Sequence, residues 1–448
     1  ASVTTNSGGT VQVDGGQVTT TGAQSYGQAM TLGTNTTLTA SNLSAAAINM
    51  AGYDLTVNQS GTASSISGVM SGTGSAFVKE GNGSLTLSGN NTYTGITTVS
   101  AGTLQIGAND QTGTFGGGAV INNAAIAINR SDDVAIANDI SGSGSVTKLR
   151  SNAVTLTGAL SYTGATTISA GTLVLVNDTP TTASSGFGGA GSLRIESVNN
   201  SFASTFDVGT GWSFGSDLGG LTIGKSTNTA NVSLSSNIGI AGSMTVYGGQ
   251  ISIANNVTIA KTSGGDADLT LKATRSIRPG SDVTISSTVG ALNVTLWSDS
   301  DANASGDMYS NPRFSITTNG GDIVIGGGSD PNTGAAVAES STGVRLYYAN
   351  LDAGGGDISL RGQAGGDMGT GVDLFYSTIN TTGDGQIYID SEVDKGTKIT
   401  ISLPLTLAIT EALMLKVNEE VFALPLNSIN ETMRISHNDI KKINGEEV

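Results

Sequence analysis

The chain has 448 residues, of which 65 are glycine and only 12% are charged, with a formal net charge of −16 and no cysteine. That acidic balance excludes the clustered Lys and Arg that phosphate neutralisation requires, so nucleic acid is not an expected partner. The absence of cysteine excludes a disulfide scaffold and fits a chain exported through an oxidising compartment without staples.

Taken in chain order, the opening Ala1-Ser2-Val3-Thr4-Thr5 already reads as β-structure, so a leader is expected to precede it. Residues 71–107 read SGTGSAFVKEGNGSLTLSGNNTYTGITTVSAGTLQIG, and residues 141–175 repeat the phrase as SGSGSVTKLRSNAVTLTGALSYTGATTISAGTLVL. With an offset of about 69 residues, Leu85 and Leu87 fall on Val154 and Leu156, Tyr93 on Tyr162, and Gly102 on Gly171; a fixed period of this kind signals a solenoid. Segments 85–88, 154–157, 269–272 and 294–296 alternate apolar with mostly small polar residues, as half-buried strands do. From 191 to 389 the phrase shortens to Gly-Gly-Asp-Ile units anchored at Ile323, Ile358 and Ile387, roughly 30 to 35 residues apart. No run of about 18 apolar residues occurs, so no helix is expected to span a membrane.

These patterns predict an all-β chain built as a right-handed parallel β-helix. Coils pair edge to edge about 4.8 Å apart, with Val, Ile and Leu stacked inward, Thr and Ser outward, and Gly and Asn at corners. At about 20 to 25 residues per coil, residues 1–389 would make on the order of 16 to 19 coils. Near Ser391 the composition changes: charged residues rise from about a tenth to about a quarter, glycine nearly vanishes, and the sole His437 appears.

Three resemblances follow from these residues. Lys79, Gly81, Gly83, Leu85, Leu87, Gly89, Asn91, Tyr93, Gly95, Thr97, Gly102 and Leu104 resemble the autotransporter-associated β-strand repeat. The second copy keeps Lys148, Gly158, Tyr162, Gly164, Thr166, Gly171 and Leu173, while Arg150 and Asn152 replace two glycines and Leu160 replaces the Asn. The units at 319–325, 354–360 and 383–389 resemble the central repeats of filamentous-haemagglutinin-type exoproteins. Residues 394–409, 412–417, 422–426 and 435–440 resemble the junction of the ATP-binding and regulatory domains in chemotaxis histidine kinases of the CheA family. The expected organisation is therefore an autotransporter-type β-helix at 1–190, a haemagglutinin-like β-helix at 191–389, and a small mixed α/β kinase fragment at 390–448. The last resemblance implies that Gly396 and Thr397 are the remnant of an ATP-site glycine box, not expected to bind nucleotide alone because the Mg²⁺- and adenine-binding boxes are missing. A strand from Lys398 to Leu403 could add to the open end of the β-helix.

Other candidate chemistry is thin. Asp299-Ser300-Asp301-Ala302-Asn303 begins like a calcium loop, but Ala304 and Ser310 stand where the loop needs Gly and Glu, so a solvated loop and no metal are expected. Asp132 and Asp133 are adjacent on an extended segment and should diverge, which excludes a catalytic dyad. His437 lies in the kinase-like tail, far from any nucleophile elbow, and reads as a surface residue. Tyr93 and Tyr162 read as corner-packing rings, with exposed sugar platforms the alternative; Trp212 and Trp297 are isolated.

The resemblances imply a secreted or surface-attached bacterial rod that is not an enzyme and carries no cofactor. Its expected role is adhesion or cell aggregation through extended lateral contact with glycan or protein on a host or neighbouring cell, with self-association a further option. Two alternatives stay open. One is a chimaeric chain joined near 384–391, whose tail would meet a chemotaxis coupling protein if functional. The other is a polysaccharide-acting β-helix enzyme, against which the scarcity of Lys and Arg counts.

Overall fold

A computed structural model describes residues 1–178 except Ser7, and residues 186–391 except 210, 339–341 and 366–368. Beyond 391 it describes only short strands. The chain divides into two compact units, Ala1–Thr400 and Ile401–Val448.

Alternation builds the first unit. In Ser84–Leu87, Leu85 and Leu87 point inward and Ser84 and Thr86 outward. Leu85 pairs with Leu104 in the next coil, and Leu104 with Ile126 in the coil after that. Leu85, Leu104 and Ile126 are each at most 1% exposed, so the core is a column of like residues running from coil to coil. Burying each such side chain stabilises the fold by about 1.5–3 kcal/mol, a gain available only once a neighbouring coil is in place. All strand pairs described within this unit are parallel, giving the parallel β-solenoid that the periodicity predicts.

The faces change partway along. A ten-stranded sheet from Val3–Thr5 to Phe187–Gly188, a four-stranded sheet from Val11–Val13 to Met70–Ser71, and an eight-stranded sheet from Gln17–Thr19 to Leu160–Tyr162 wall the first part. A twelve-stranded sheet starts at Val134–Ile136 and runs to Ile387–Ser391, joined by an eight-stranded sheet from Phe206–Val208 and a six-stranded sheet from Ile238–Ile240. Coils also lengthen. One coil carries the chain from Leu173 to its partner Leu193, a longer one from Leu193 to Leu221, and a longer one still from Ile323 to Ile358. The coil length expected from the sequence therefore holds for the first part and falls short later, because the extra residues sit in loops while strand pairing is kept.

The two repeats do not superpose face on face. The first copy places Phe77–Glu80 in the eight-stranded sheet and Ser84–Leu87 in the ten-stranded one. The second places the equivalent Ser145–Lys148 in the ten-stranded sheet and Ala153–Leu156 in the twelve-stranded one. The offset between the copies is thus three coils plus one side, and the second copy is stepped round by one face. That step explains its divergence. Asn91 lies where its face has no strand, and its side chain replaces the ladder: Nδ2 donates to Thr114 O at 2.7 Å and Oδ1 accepts from Met70 N at 2.8 Å. Leu160 lies in the regular strand Leu160–Tyr162, paired with Ile140, and needs no such bridge.

Each copy also buries its lysine. Lys79 is 0% exposed, and its ammonium donates to the carbonyls of Glu80 and Gly81, both at 2.7 Å, and of Ala101 in the next coil at 3.1 Å. Lys148 repeats this with the carbonyls of Arg150 and, at 2.9 Å, of Ala170. Lys261, outside both repeats, does the same with Ser263 O at 2.9 Å and Val289 O at 2.5 Å. An ammonium with three donors suits a corner where carbonyls of two coils converge.

Burial pulls Lys79 and Lys148 down to about 8. Their folded values lie below that of an unfolded lysine, so between pH 8 and about 10 the unfolded chain holds more protons and raising the pH favours the fold. The burial penalty is fully present below pH 8. Above about 10 the buried Tyr162, pushed up to about 12, acts in the opposite sense. Urea midpoints are therefore expected to rise from pH 8 to 9.5 by more in the native sequence than in a Lys79→Met/Lys148→Met double variant; equal slopes would refute the assignment.

The seam with the tail continues the solenoid. Ile387–Ser391 pairs with Ile358–Gln363, and Lys398–Ile399 pairs in parallel with Val372–Phe375, as a strand added to the open end should. The expected mixed α/β character is not seen in the described residues of the second unit. They form two antiparallel pairs, Ala412–Val417 with Glu420–Pro425 and Lys442–Ile443 with Glu446–Glu447.

Candidate functional site

Gly396, Thr397 and His437 lie outside the described residues. Tyr93 and Tyr162 are at most 1% exposed, and their hydroxyls each meet a threonine hydroxyl at 2.7 Å, Thr97 and Thr166. They pack the corners, and the sugar-platform alternative is overturned. Asp132 takes a bidentate bond from Arg130, both contacts 2.8 Å, whereas Asp133 accepts the Ala153 N–H at 2.8 Å, so the pair diverges as expected. The hydrogen bond from Arg130 holds the Asp132 carboxyl below its ordinary range.

Asp299 is 1% exposed and closes its own loop by accepting the Ser305 N–H at 3.2 Å, and burial raises its carboxyl above the usual range. Asp301 accepts from Asn303 Nδ2 at 3.0 Å, so both carboxylates of the calcium-like start are engaged by groups of their own loop. Trp212 is not isolated: it stacks on Phe187 at 5.6 Å and on Phe214 at 6.0 Å where the sheets change over. Trp297 lies under the Lys272 ammonium, 3.6 Å from the ring centroid, and donates to Gly328 O at 2.7 Å.

The lateral surface carries two ordered columns of residues. On the twelve-stranded sheet Thr222, Thr245, Thr270 and Thr295 occupy one outward column in register. A second column runs along a corner where five successive coils carry a non-glycine residue in left-handed backbone: Asn256, Asp282, Arg313, Tyr348 and Tyr376, with φ of 61°, 59°, 64°, 48° and 47°. Arg313 and Asp282 form a two-contact ion pair. Tyr348 and Tyr376 stack at 5.1 Å and are 45% and 70% exposed, while Tyr347 and Phe375 stack beside them at 5.1 Å. Bulky residues at positive φ cost on the order of 1–3 kcal/mol each, so presenting two aligned tyrosines to solvent opposes stability. The sequence signal for this pair was available: the aromatic dipeptides 347–348 and 375–376 are one long coil apart.

The described surface of the parallel β-solenoid thus carries a threonine column and an exposed aromatic corner; among the described residues no three His, Asp or Glu side chains gather to hold a metal ion. The family model of the passenger-associated transport repeat matches residues 77–106 and 146–175. In the structure each match is one coil stacked on the next, Phe77–Glu80 on Thr97–Val99 and Ser84–Leu87 on Thr103–Asp110 in the first. The repeats and the solenoid fit an autotransporter-type protein, secreted or at the cell surface. The chain is also 49% identical over 65 residues to the sensor histidine kinase CheAY of Helicobacter pylori, 43% over 65 to the chemotaxis protein CheA of Treponema pallidum, and 48% over 63 to that of Klebsiella aerogenes. These matches cover 14% of this chain and 8 to 10% of the relatives, about the length of the tail that carries the resemblance. No solved structure matches.

Proposed function

We propose that residues 1–391 are a non-catalytic surface rod that mediates adhesion or cell aggregation by lateral contact. The observation that carries this reading is the pair of transport repeats folded as self-stacking coils with their apolar residues inside, continued by later coils whose threonine column and tyrosine corner face outward. Each contact is weak, and repetition along a solenoid multiplies them. The partner would be glycan or protein on a neighbouring cell. Cells displaying the chain should clump, and a Tyr348→Ala/Tyr376→Ala double variant, with an unchanged circular dichroism spectrum, should clump roughly tenfold less. Display without clumping or attachment to any surface would remove the reading.

A second reading rests on the kinase similarity of the tail. In it, residues 390–448 derive from a chemotaxis kinase, Gly396 and Thr397 are a relic of its nucleotide site, and the fragment retains at most the contact with a coupling protein. Mass spectrometry of the native source for the tryptic peptide 362–395 separates the possibilities. Detecting it shows one polypeptide carrying rod and tail; unrelated abundances of peptides from the two sides show a composite.

A further inference from the structure

The coil from Leu193 to Leu221 is longer than the one before it, from Leu173 to Leu193, and solenoid insertions tend to build walls on a binding face. Here the inserted residues Asn199 and Asn200 brace the turn that follows the next strand, and that turn, Gly224 to Thr227, walls a concavity of about 520 Å³ on the outside of the twelve-stranded sheet, a size common for small-molecule sites. Its floor is set by strand register. Arg194 pairs with Thr222, and Thr222 with Thr245; the neighbouring outward column places Glu196 and Tyr247 either side of Gly224. Gly224 has φ of 82°, and a Cβ there would lie 2.7 Å from Tyr247 O, so the column has an obligatory gap between a carboxylate and an aromatic ring.

The wall is fixed before any ligand arrives. Lys225 Nζ donates to Asn199 O at 2.8 Å and Thr227 Oγ1 to Asn200 O at 2.7 Å. Asn228, 1% exposed, donates through Nδ2 to Tyr247 O at 2.7 Å and accepts from Ser201 Oγ at 2.8 Å. By contrast, the groups facing the concavity are largely unspent. Arg194 and Glu196 share one ion pair, and among the described residues the other guanidinium N–H groups, Glu196 Oε2, and the hydroxyls of Thr222 and Tyr247 have no protein partner.

We infer that this concavity is a subsite for a neutral hexopyranose. Arg194 and Glu196 together offer adjacent donors and an acceptor to sugar hydroxyls, and the Tyr247 ring offers a face or edge to the apolar C–H side of a sugar ring. Of the two cations in the lining, Arg194 is paired with Glu196 and the Lys225 ammonium is turned onto the carbonyls of Val198 and Asn199, which leaves neither free to hold an anion. The inference deepens the surface-contact reading by naming a ligand class, and it rests on that reading only for its biological meaning.

The test is saturation-transfer NMR on the whole chain with the methyl glycosides of glucose, galactose, mannose and N-acetylglucosamine. Transfer to the ring protons of at least one is expected, with affinity lowered about tenfold by Tyr247→Ala and by Arg194→Ala. Glu196→Gln, which keeps size and shape, should weaken binding, and the distant Tyr376→Ala should leave it unchanged. No transfer to any of these glycosides overturns the inference, as does transfer that persists unaltered in Tyr247→Ala and Glu196→Gln. Sugar binding without clumping or surface attachment of displaying cells would leave the subsite standing and remove the adhesion reading; clumping or attachment without sugar binding would do the reverse.

Discussion

Gly102→Ala is expected to destabilise the first repeat by about 3 kcal/mol, whereas Gly74→Ala should cost about 1 kcal/mol. Both glycines have left-handed backbone, with φ of 68° and 79°, so both substitutions meet the same conformational penalty. They differ in space. A Cβ at Gly102 would lie 2.2 Å from Gly83 O and 2.6 Å from Gly81 O, backbone atoms of the preceding coil, while at Gly74 nothing lies within 4 Å. The additional cost at Gly102 is that of pushing two coils apart at a corner, where their strands are hydrogen-bonded and cannot separate locally. Urea unfolding together with proteolysis confined to residues 80–105 reads the difference. Equal destabilisation at the two sites would show that backbone strain alone, and not coil-to-coil contact, requires the glycine.

Lys79→Met should cost about 2–4 kcal/mol, because methionine fills the space but leaves the carbonyls of Glu80, Gly81 and Ala101 without their charged donor. Lys148→Met should behave alike, since its ammonium also joins two successive corners. Because the sites lie in separate coils, the two losses should add within about 0.5 kcal/mol. Substituting the half-buried Lys225, whose ammonium bonds only the loop at 198–199, should change stability by less than about 0.5 kcal/mol. A Lys79→Met chain that unfolds at the native urea concentration would mean that water satisfies these carbonyls as well as the ammonium does.

The core was legible in the sequence because one property, the alternation of apolar with small polar residues, controls it. Leu85, Leu87, Val154 and Leu156 all lie inward, as their spacing requires. The same parity would have revealed the buried lysines: Lys79 shares the side of Phe77, Lys148 that of Val146, and Lys261 that of Ile259. Residue type argues for exposure and parity for burial, and parity wins because the corner supplies carbonyl partners. The rotation of the second repeat was not legible, since it depends on how many residues each intervening turn consumes. The proposed Gly224 subsite was equally hidden: its wall is a turn braced by an irregular insertion, and its residues come together only through register between coils. The tail is legible through its motifs, but composition does not show how its strands pair.

Pairing only with the coil before and the coil after has a kinetic consequence. Partners as near along the chain as Leu85 and Leu104, or Leu104 and Ile126, can meet as soon as the short length between them is free. A folding front can then advance one coil at a time, each completed coil offering a paired edge and a ready corner to the next. If the chain emerges from a pore end first, the emerged coils need nothing from the part still inside, and each newly closed coil opposes backsliding. The coil contacts that hold the solenoid together would then also act as a ratchet for delivering it.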